Sequence, residues 1–206
     1  MEILKILNKY HTENKNNNAL VNYTWAGTRD RTHFNLQQSA ERAMGMINDS
    51  NTVELIHAIS SMLENGLIPE NFTILDLFGG TGIITYIIKE NFPKCTPICL
   101  DLKYHNSWDE IKNKYPDFHS FQIDFFELEK ELLPLNLDIL VTFNTFRGWD
   151  NSAGPLINQK YTKTQFSNWV KNNTKYFITD RGNVQDFFKL LPLESTFKNL
   201  KVALTQ

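Results

Sequence analysis

Residues 74–84 read Ile-Leu-Asp-Leu-Phe-Gly-Gly-Thr-Gly-Ile-Ile, and this stretch decides the fold of the chain. Its first residues form a hydrophobic run typical of a buried strand, and its glycines predict a tight turn at the carboxyl end of that strand. The isoleucines at 83, 84, 87 and 88 predict a helix with one apolar face. The stretch therefore indicates a strand, a turn and a helix, in which the turn can approach a ligand closely.

Strand and helix patterns alternate from residue 72 onward. We predict strands near residues 73–78, 96–101, 118–123, 137–143, 175–180 and 198–204. We predict helices near residues 82–91, 106–115, 126–133, 162–173 and 183–191. This alternation favours an α/β domain with a Rossmann-like, doubly wound, mostly parallel sheet of six to seven strands and helices on both faces.

An N-terminal extension, residues 1–71, precedes the main domain, residues 72–206. It is predicted to be partly helical, with helices near residues 1–10, 36–47 and 52–64. The third of these begins with a capping box formed by Asn51 and Glu54 and ends at Gly66, whereas residues 11–18 read as a solvated linker. The polar, aromatic stretch at 25–34 has two interpretations, a lid over the active site and a surface loop.

Composition limits the classes of function. The chain has 206 residues, with 21 Lys plus Arg against 23 Asp plus Glu, so bulk charge does not favour coating of nucleic acid or of an acidic membrane. Cys95 and Cys99 lack a second ligand pair at metal spacing, and we expect no metal site. The N-terminus is not a secretion signal and no run of residues is apolar enough to span a membrane, so we expect a cytoplasmic protein.

Spacing within the glycine turn discriminates between ligands. A P-loop requires Gly-Lys-Ser/Thr, and the first lysine after the turn is Lys89. A dinucleotide fingerprint places Gly or Ala where this chain has Thr85, which disfavours NAD and FAD.

The turn closely resembles motif I of the class I S-adenosylmethionine-dependent methyltransferases. In that motif an acidic residue, a Gly or Phe, and two glycines alternate with other residues, and these positions are Asp76, Phe78, Gly80 and Gly82 here. Asp101 ends the next predicted strand, and in this family that position accepts hydrogen bonds from the ribose hydroxyls. Asp124 ends the third strand, where members contact the adenine amino group. The resemblance covers about residues 72–181 and implies S-adenosylmethionine as cofactor, bound by Asp76, Phe78, Gly79, Gly80, Thr81, Gly82, Asp101, Leu102, Asp124, Phe125 and Asn144.

Two of these positions have a second interpretation that the sequence leaves open. Asp124 is also suited to capping the helix that follows it. Asp76 is also suited to an internal hydrogen bond that supports the glycine turn.

The resemblance ends in part at the fourth strand. Methyltransferases that act on a base amino group or a glutamine amide have Asn/Asp/Ser-Pro-Pro-aromatic there, whereas this chain has Asn144-Thr145-Phe146-Arg147. Asn144, Arg147 and Asp150 are the candidate catalytic residues, since they follow the strand whose end borders the methyl group. The other interpretation is a loop anchored on the core, with Arg147 paired to Asp150.

We therefore predict an S-adenosylmethionine-dependent methyltransferase with an N or O acceptor, in RNA, DNA or a small molecule. The alternative is a catalytically inactive binding module of the same fold that serves a partner protein. Residues 72–146 carry 6 basic and 11 acidic side chains, whereas residues 147–206 carry 9 and 4, so an anionic acceptor is compatible with the second part. Only one strand is evident after residue 191, which suggests an open sheet edge and a dimer contact there.

Overall fold

The structure is a computed structural model that describes residues 1–14, 50–143, 163–180, 188–191 and 200–205. The helices, numbered in chain order, are α1 (Glu2–Tyr10), α2 (Ser50–Glu64), α3 (Ile83–Asn91), α4 (Ser107–Lys114), α5 (Phe125–Leu128) and α6 (Lys163–Asn173). The strands are β1 (Thr73–Leu77), β2 (Thr96–Asp101), β3 (His119–Gln122), β4 (Leu137–Thr142), β5 (Thr174–Thr179), β6 (Lys189–Leu190) and β7 (Lys201–Leu204).

The strands form one sheet in the order β3-β2-β1-β4-β5-β7-β6. Strands β1 to β5 are parallel to their neighbours, whereas β7 runs antiparallel to β5 and β6. From β1 the chain first extends the sheet through β2 and β3 on one side and then through β4 and β5 on the other. This change of direction leaves a crevice beyond the carboxyl end of β1. The predicted Rossmann-like, doubly wound, mostly parallel α/β fold is confirmed.

Alternate residues of the strands face opposite sides of the sheet, and helices cover both sides. Leu75 and Leu77 of β1 belong to a core cluster that includes apolar residues of α1, α5 and α6. Ile74 belongs to a second cluster, with α2 and α3 on the opposite side. By this alternation Asp76 shares the side of Ile74, which directs a carboxylate toward α3.

The boundaries of α2 agree in part with the prediction. The helix begins at Ser50, so Asn51 lies within it and is not its N-cap. Glu54 accepts a hydrogen bond from the backbone N–H of Leu200 at 2.9 Å, which ties the start of α2 to the start of β7. The helix ends as predicted at Gly66, whose φ of +65° and following Leu67 N–H to Met62 C=O bond form a Schellman motif.

Helix α5 is shorter than the predicted helix over 126–133. It ends at Leu128, and the Glu131 carboxylate accepts hydrogen bonds from the backbone N–H groups of Leu132 and Leu133. Lys9 and Tyr10 of α1 bond to the same carboxylate, and the Lys9 contact is the main cause that lowers the pKa of Glu131 to about 2. Side-chain bonds to the backbone thus replace a further helical turn.

The C-terminal region corrects two predictions. Residues 189 and 190 form β6 and not the end of a helix over 183–191, because Lys189 pairs with Leu204 and Leu190 with Ala203. The sheet consequently ends in an antiparallel β6–β7 pair, and the expectation of a single final strand is wrong. A two-residue strand is too short to show a period of two in the sequence.

The segment after α1 is also different from the prediction. Residues 11–14 are not a solvated linker, because they bond to the outer edge of β3 at Gln122. Thr12 N–H donates to Gln122 C=O at 3.0 Å, and Gln122 N–H donates to Nδ1 of His11 at 3.0 Å. The edge of the sheet at β3 is therefore covered by the chain's own N-terminal segment.

Across the described ranges, no helix is long and apolar enough to cross a membrane. The cytoplasmic location stays a prediction from the sequence. The predicted helix at 36–47 and the stretch at 25–34 with its lid interpretation lie outside the described residues.

We expect the His11 contact to make stability depend on pH. Burial lowers the pKa of His11 below its usual 6.5, Lys112 lowers it further, and Glu13 opposes them. Since the unfolded chain binds this proton more readily, the contribution of His11 to the free energy of unfolding should fall as the pH drops below about 6.5. His11→Gln should reduce that loss, as measured by urea unfolding at several pH values.

His119 provides the control for this measurement, because burial also lowers the pKa of its ring. His119→Gln should remove a different part of the pH dependence and leave the His11 part intact. Identical pH profiles for wild type and His11→Gln would show that the His11 contact contributes nothing.

Candidate functional site

The candidate site lies at the carboxyl ends of β1, β2 and β3. These strands are parallel neighbours, so the segments that follow Leu77, Asp101 and Gln122 meet at one edge of the sheet. The glycine turn, residues 78–82, occupies the crevice where the strand order changes direction. Open α/β sheets generally bind ligands at such a position.

The backbone of the glycine turn is left-handed at three residues. Gly80 and Gly82 have φ angles of 54° and 77°, which glycine adopts without strain. Phe78 has a φ of 65°, a conformation that costs a residue with a side chain on the order of 1–2 kcal/mol. Its ring packs edge-on against Phe125 at a centroid distance of 5.5 Å, a contact that offsets part of this strain.

Gly79 is required for a different reason, since its φ is not positive. A Cβ atom at this position would lie 2.7 Å from both Asp76 Oδ2 and Cys99 Sγ. The turn is therefore pressed directly onto β1 and β2, and no larger residue fits at position 79.

Hydrogen bonds from β2 and α4 hold the turn in place. Gly79 N–H donates to the carbonyl of Leu100 at 2.9 Å. From the other side, Trp108 Nε1–H donates to Gly80 C=O at 2.9 Å and Ser107 Oγ donates to Thr81 C=O at 2.7 Å. Trp108 is fully buried and its ring also borders Gly82. The start of α4 thus acts as a clamp on the turn.

Asp101 connects β2 to the turn. Its Oδ2 accepts from Gly80 N–H at 3.0 Å, and its Oδ1 accepts from Lys103 N–H at 3.0 Å. His105 Nε2 lies 3.8 Å from Oδ1, and 18% of the Asp101 side chain is exposed. A carboxylate has about four lone-pair positions, so Asp101 can accept further hydrogen bonds from a ligand while it holds the turn.

His105 is buried beside this carboxylate, with 3% of its surface exposed. Its Nδ1 has no hydrogen-bond partner among the residues that the structure describes. The ring packs on Trp108 at a centroid distance of 5.5 Å.

Asp76 lies beneath the turn and is fully buried. Its Oδ2 accepts a hydrogen bond from Thr85 Oγ1 at 3.0 Å. Burial raises the pKa of Asp76 to about 7, the Thr85 bond opposes that rise, and the charge of Asp101 adds to it. The internal hydrogen bond is therefore one role of Asp76 in the structure, and the predicted ligand contact stays a prediction.

Asp124, Phe125 and Leu102 form the rest of the described rim. Asp124 is exposed and caps α5, because its Oδ1 accepts from Phe126 N–H at 2.9 Å. The Phe125 side chain is buried against Phe78 and Trp169, so it faces the core. Leu102 is 46% exposed and presents apolar surface next to Asp101.

The candidate catalytic residues Asn144, Arg147 and Asp150 lie outside the described residues. So does the cofactor contact predicted for Asn144. Within the described ranges, no three His, Cys, Asp or Glu side chains come together as a metal site.

Sequence reasoning missed several residues that build the site. Thr85 served only to argue against a dinucleotide fingerprint, yet its hydroxyl is the partner of Asp76. Trp108 belongs to no motif. The one sequence signal for its role was its position in the first turn of a predicted helix, shortly after the strand that ends at Asp101. Gln122 was not singled out, although it was the last polar residue of a predicted strand.

The raised pKa of Asp76 predicts how stability changes with pH. The folded state binds this proton more tightly than the unfolded chain, so the contribution of Asp76 to the free energy of unfolding should fall as the pH rises from about 4 to about 7. Asp76→Asn keeps an acceptor for Thr85 and has no ionisation to suppress. The variant should be more stable than wild type at pH 8, by up to several kcal/mol, since each pKa unit corresponds to about 1.4 kcal/mol.

Thr85→Val is the matched comparison, because it removes the hydrogen bond that lowers the pKa of Asp76. It should deepen the loss of stability and extend it to higher pH. A difference in unfolding free energy between wild type and Asp76→Asn that stays constant from pH 4 to pH 8 would contradict the assignment.

Comparison with known proteins agrees with the topology. No protein-family model matches the chain, and no curated protein matches its sequence. A solved structure of WbdD with the kinase inhibitor LY294002 matches with a TM-score of 0.53 and 12% identity, over 77% of this chain and 41% of that one. This chain thus spans less than half the length of the WbdD structure.

Two further solved structures match with lower scores. A SAM-dependent methyltransferase from Aquifex aeolicus has a TM-score of 0.46 and 16% identity, over 71% of this chain and 89% of that one. Coclaurine N-methyltransferase bound to N-methylheliamine and SAH has a TM-score of 0.41 and 13% identity, over 86% and 49%. At such identities the likeness concerns the fold alone. The WbdD match supports the overall fold of this chain, and the likeness of its glycine turn to the class I methyltransferases stays a resemblance in sequence.

Proposed function

We propose that this protein is an S-adenosylmethionine-dependent methyltransferase with an N or O acceptor. The observation that carries the proposal is the hydrogen bond from Gly80 N–H to Asp101 Oδ2, 3.0 Å long. It joins a glycine turn at the switch point of the sheet to a partly exposed carboxylate at the next strand end. A ligand made of a nucleoside and a charged substituent requires both elements. The glycine turn allows close approach to the backbone, and the carboxylate accepts hydrogen bonds from the ribose hydroxyls.

The residues of the rim fit this cofactor. Asp101 retains acceptor capacity toward solvent, which suits a pair of vicinal hydroxyls. Leu102 follows Asp101 in the chain and is exposed, and Phe78 is half-buried at the start of the glycine turn, so both can offer apolar surface to a purine ring. The whole stretch from 72 to 146 is acidic, which favours a cationic sulfonium.

S-adenosylmethionine supplies a methyl group that is already activated on its sulfonium. The protein then chiefly has to align the nucleophile with that methyl group and exclude water. In this proposal Asn144 or Asp150 holds or deprotonates an amine or hydroxyl, and Arg147 faces a negative substituent of the acceptor. The basic character of residues 147–206 supports RNA, DNA or an anionic small molecule as that acceptor.

The second candidate is a binding module of the same fold without catalysis. The altered stretch Asn144-Thr145-Phe146-Arg147 favours it. The C-terminal region does not favour it, because β6 and β7 form an antiparallel pair at the end of the sheet.

Calorimetry with S-adenosylmethionine and its demethylated product tests the cofactor. We expect both to bind to wild type, and we expect Asp101→Ala to weaken binding by more than about 1 kcal/mol, because ribose hydroxyls lose their acceptor. Asp101→Asn keeps one oxygen for the turn and should retain part of the affinity. Binding of NAD in place of these ligands would instead favour a dinucleotide enzyme.

A methyl-transfer screen with labelled cofactor then separates the enzyme from the binding module. RNA, DNA, protein and small-molecule pools serve as acceptors. Transfer to one pool, abolished by Asp101→Ala, supports the enzyme. Tight cofactor binding without transfer to any pool supports the binding module.

The two roles of Asp124 can be separated by substitution. Asp124→Ser keeps an oxygen that can cap α5, but the serine side chain is shorter than aspartate and should not reach the adenine. Asp124→Ala removes both the cap and the proposed adenine contact. If Asp124 contacts adenine, both variants should weaken cofactor binding severalfold, and only Asp124→Ala should lose about 1 kcal/mol of stability. Wild-type affinity in Asp124→Ser would restrict Asp124 to the helix cap.

A further inference from the structure

Gln122, the last residue of β3, is buried with 4% of its surface exposed, and all four of its polar groups are bonded. Its backbone N–H and C=O bond to His11 and Thr12. Its side-chain Oε1 accepts from Asn14 N–H at 2.8 Å, and its Nε2 donates to Leu102 C=O at 3.2 Å. The residue therefore lies between the N-terminal segment and the turn after β2.

The bond to Leu102 acts on the residue that follows Asp101. Asp101 C=O is already fixed from β3 by Ile123 N–H at 2.9 Å. Lys103 N–H returns to Asp101 Oδ1, so residues 101–103 form a tight turn around the carboxylate. The Gln122 amide is the contact from β3 that fixes the carbonyl in the middle of this turn.

The N-terminal segment determines which way the Gln122 amide points. Asn14 N–H is a donor, so it requires the oxygen of the amide on its side. The nitrogen is thereby directed to Leu102 C=O, which is an acceptor. The opposite orientation would set donor against donor and oxygen against oxygen inside a buried site, at a cost of about 1–3 kcal/mol for each unpaired group.

We propose that Gln122 is a positioning residue for cofactor binding, which holds the 101–103 turn so that the Asp101 carboxylate meets the ribose hydroxyls. The residue touches no cofactor atom in this proposal and acts through Leu102. The inference rests on the proposed function, because it assigns Asp101 to the ribose.

The test compares S-adenosylhomocysteine with its 2′-deoxyribose analogue by calorimetry, on wild type and Gln122→Met. Methionine has a similar size but neither amide group. We expect wild type to prefer the ribose form, and Gln122→Met to raise the Kd of that form by about 3- to 10-fold. The Kd of the 2′-deoxy form should rise by a smaller factor, because one of the two hydroxyl contacts that Gln122 supports is already missing.

Ser120→Ala is the matched control on the same strand. The Ser120 hydroxyl is buried and has no hydrogen-bond partner among the described residues, so its removal should leave both Kd values unchanged. Should Gln122→Met fail to fold, Asn14→Pro removes the N–H that orients the amide and leaves Gln122 in place. It should reduce the preference for the ribose form in the same direction.

The outcomes separate this inference from the function on which it rests. Equal weakening of both ligands by Gln122→Met, or an unchanged preference in the folded variant, overturns the positioning role and leaves the cofactor assignment intact. Failure of wild type to bind either ligand overturns the proposed function, and the positioning role with it.

Discussion

The structure of the site depends on one constraint, the close packing of the glycine turn against the ends of β1 and β2. A Cβ on Gly79 would overlap Asp76 and Cys99, so the backbone itself fills the space above these residues. Only in this position does Gly80 N–H reach the Asp101 carboxylate. The clamp by Ser107 and Trp108 at the start of α4 follows from the same placement, since both donate to carbonyls of the turn.

This close packing destabilises the charged form of Asp76, because it removes the carboxylate from solvent. The carboxylate is buried within reach of a second acid, and among the described residues the Thr85 hydroxyl is its one hydrogen-bond partner. A neutral residue of the same shape would suit the fold better, because a buried charge without a cation is unfavourable. Strongly shifted pKa values of this type concentrate at functional sites. The energetics of Asp76 therefore agree with a cationic ligand near the turn.

Much of the fold, and the glycine turn of the candidate site, could be predicted from the sequence, because residues 74–84 combine three local signals that agree. The hydrophobic strand and the apolar helix face are short residue patterns, and the glycine turn is a short motif. All three can be recognised in a single sequence. The features that were missed depend on distant partners. Residues 11–14 look like a linker until Gln122 is next to them, and β6 has too few residues to show any pattern. Thr85 and Trp108 acquire their roles only when α3 and α4 pack on the turn.

The altered stretch after β4 bears on the acceptor more than on the capacity for transfer. Because the sulfonium methyl is already activated, alignment of the acceptor contributes more than any single acid or base. Under the proposed function, the missing prolines and aromatic residue would alter the acceptor side of the site, and Arg147 would add a positive charge to it. The described half of the site keeps its turn and its Asp101 carboxylate. The proposal therefore disfavours a neutral base or amide as acceptor and is compatible with an anionic one.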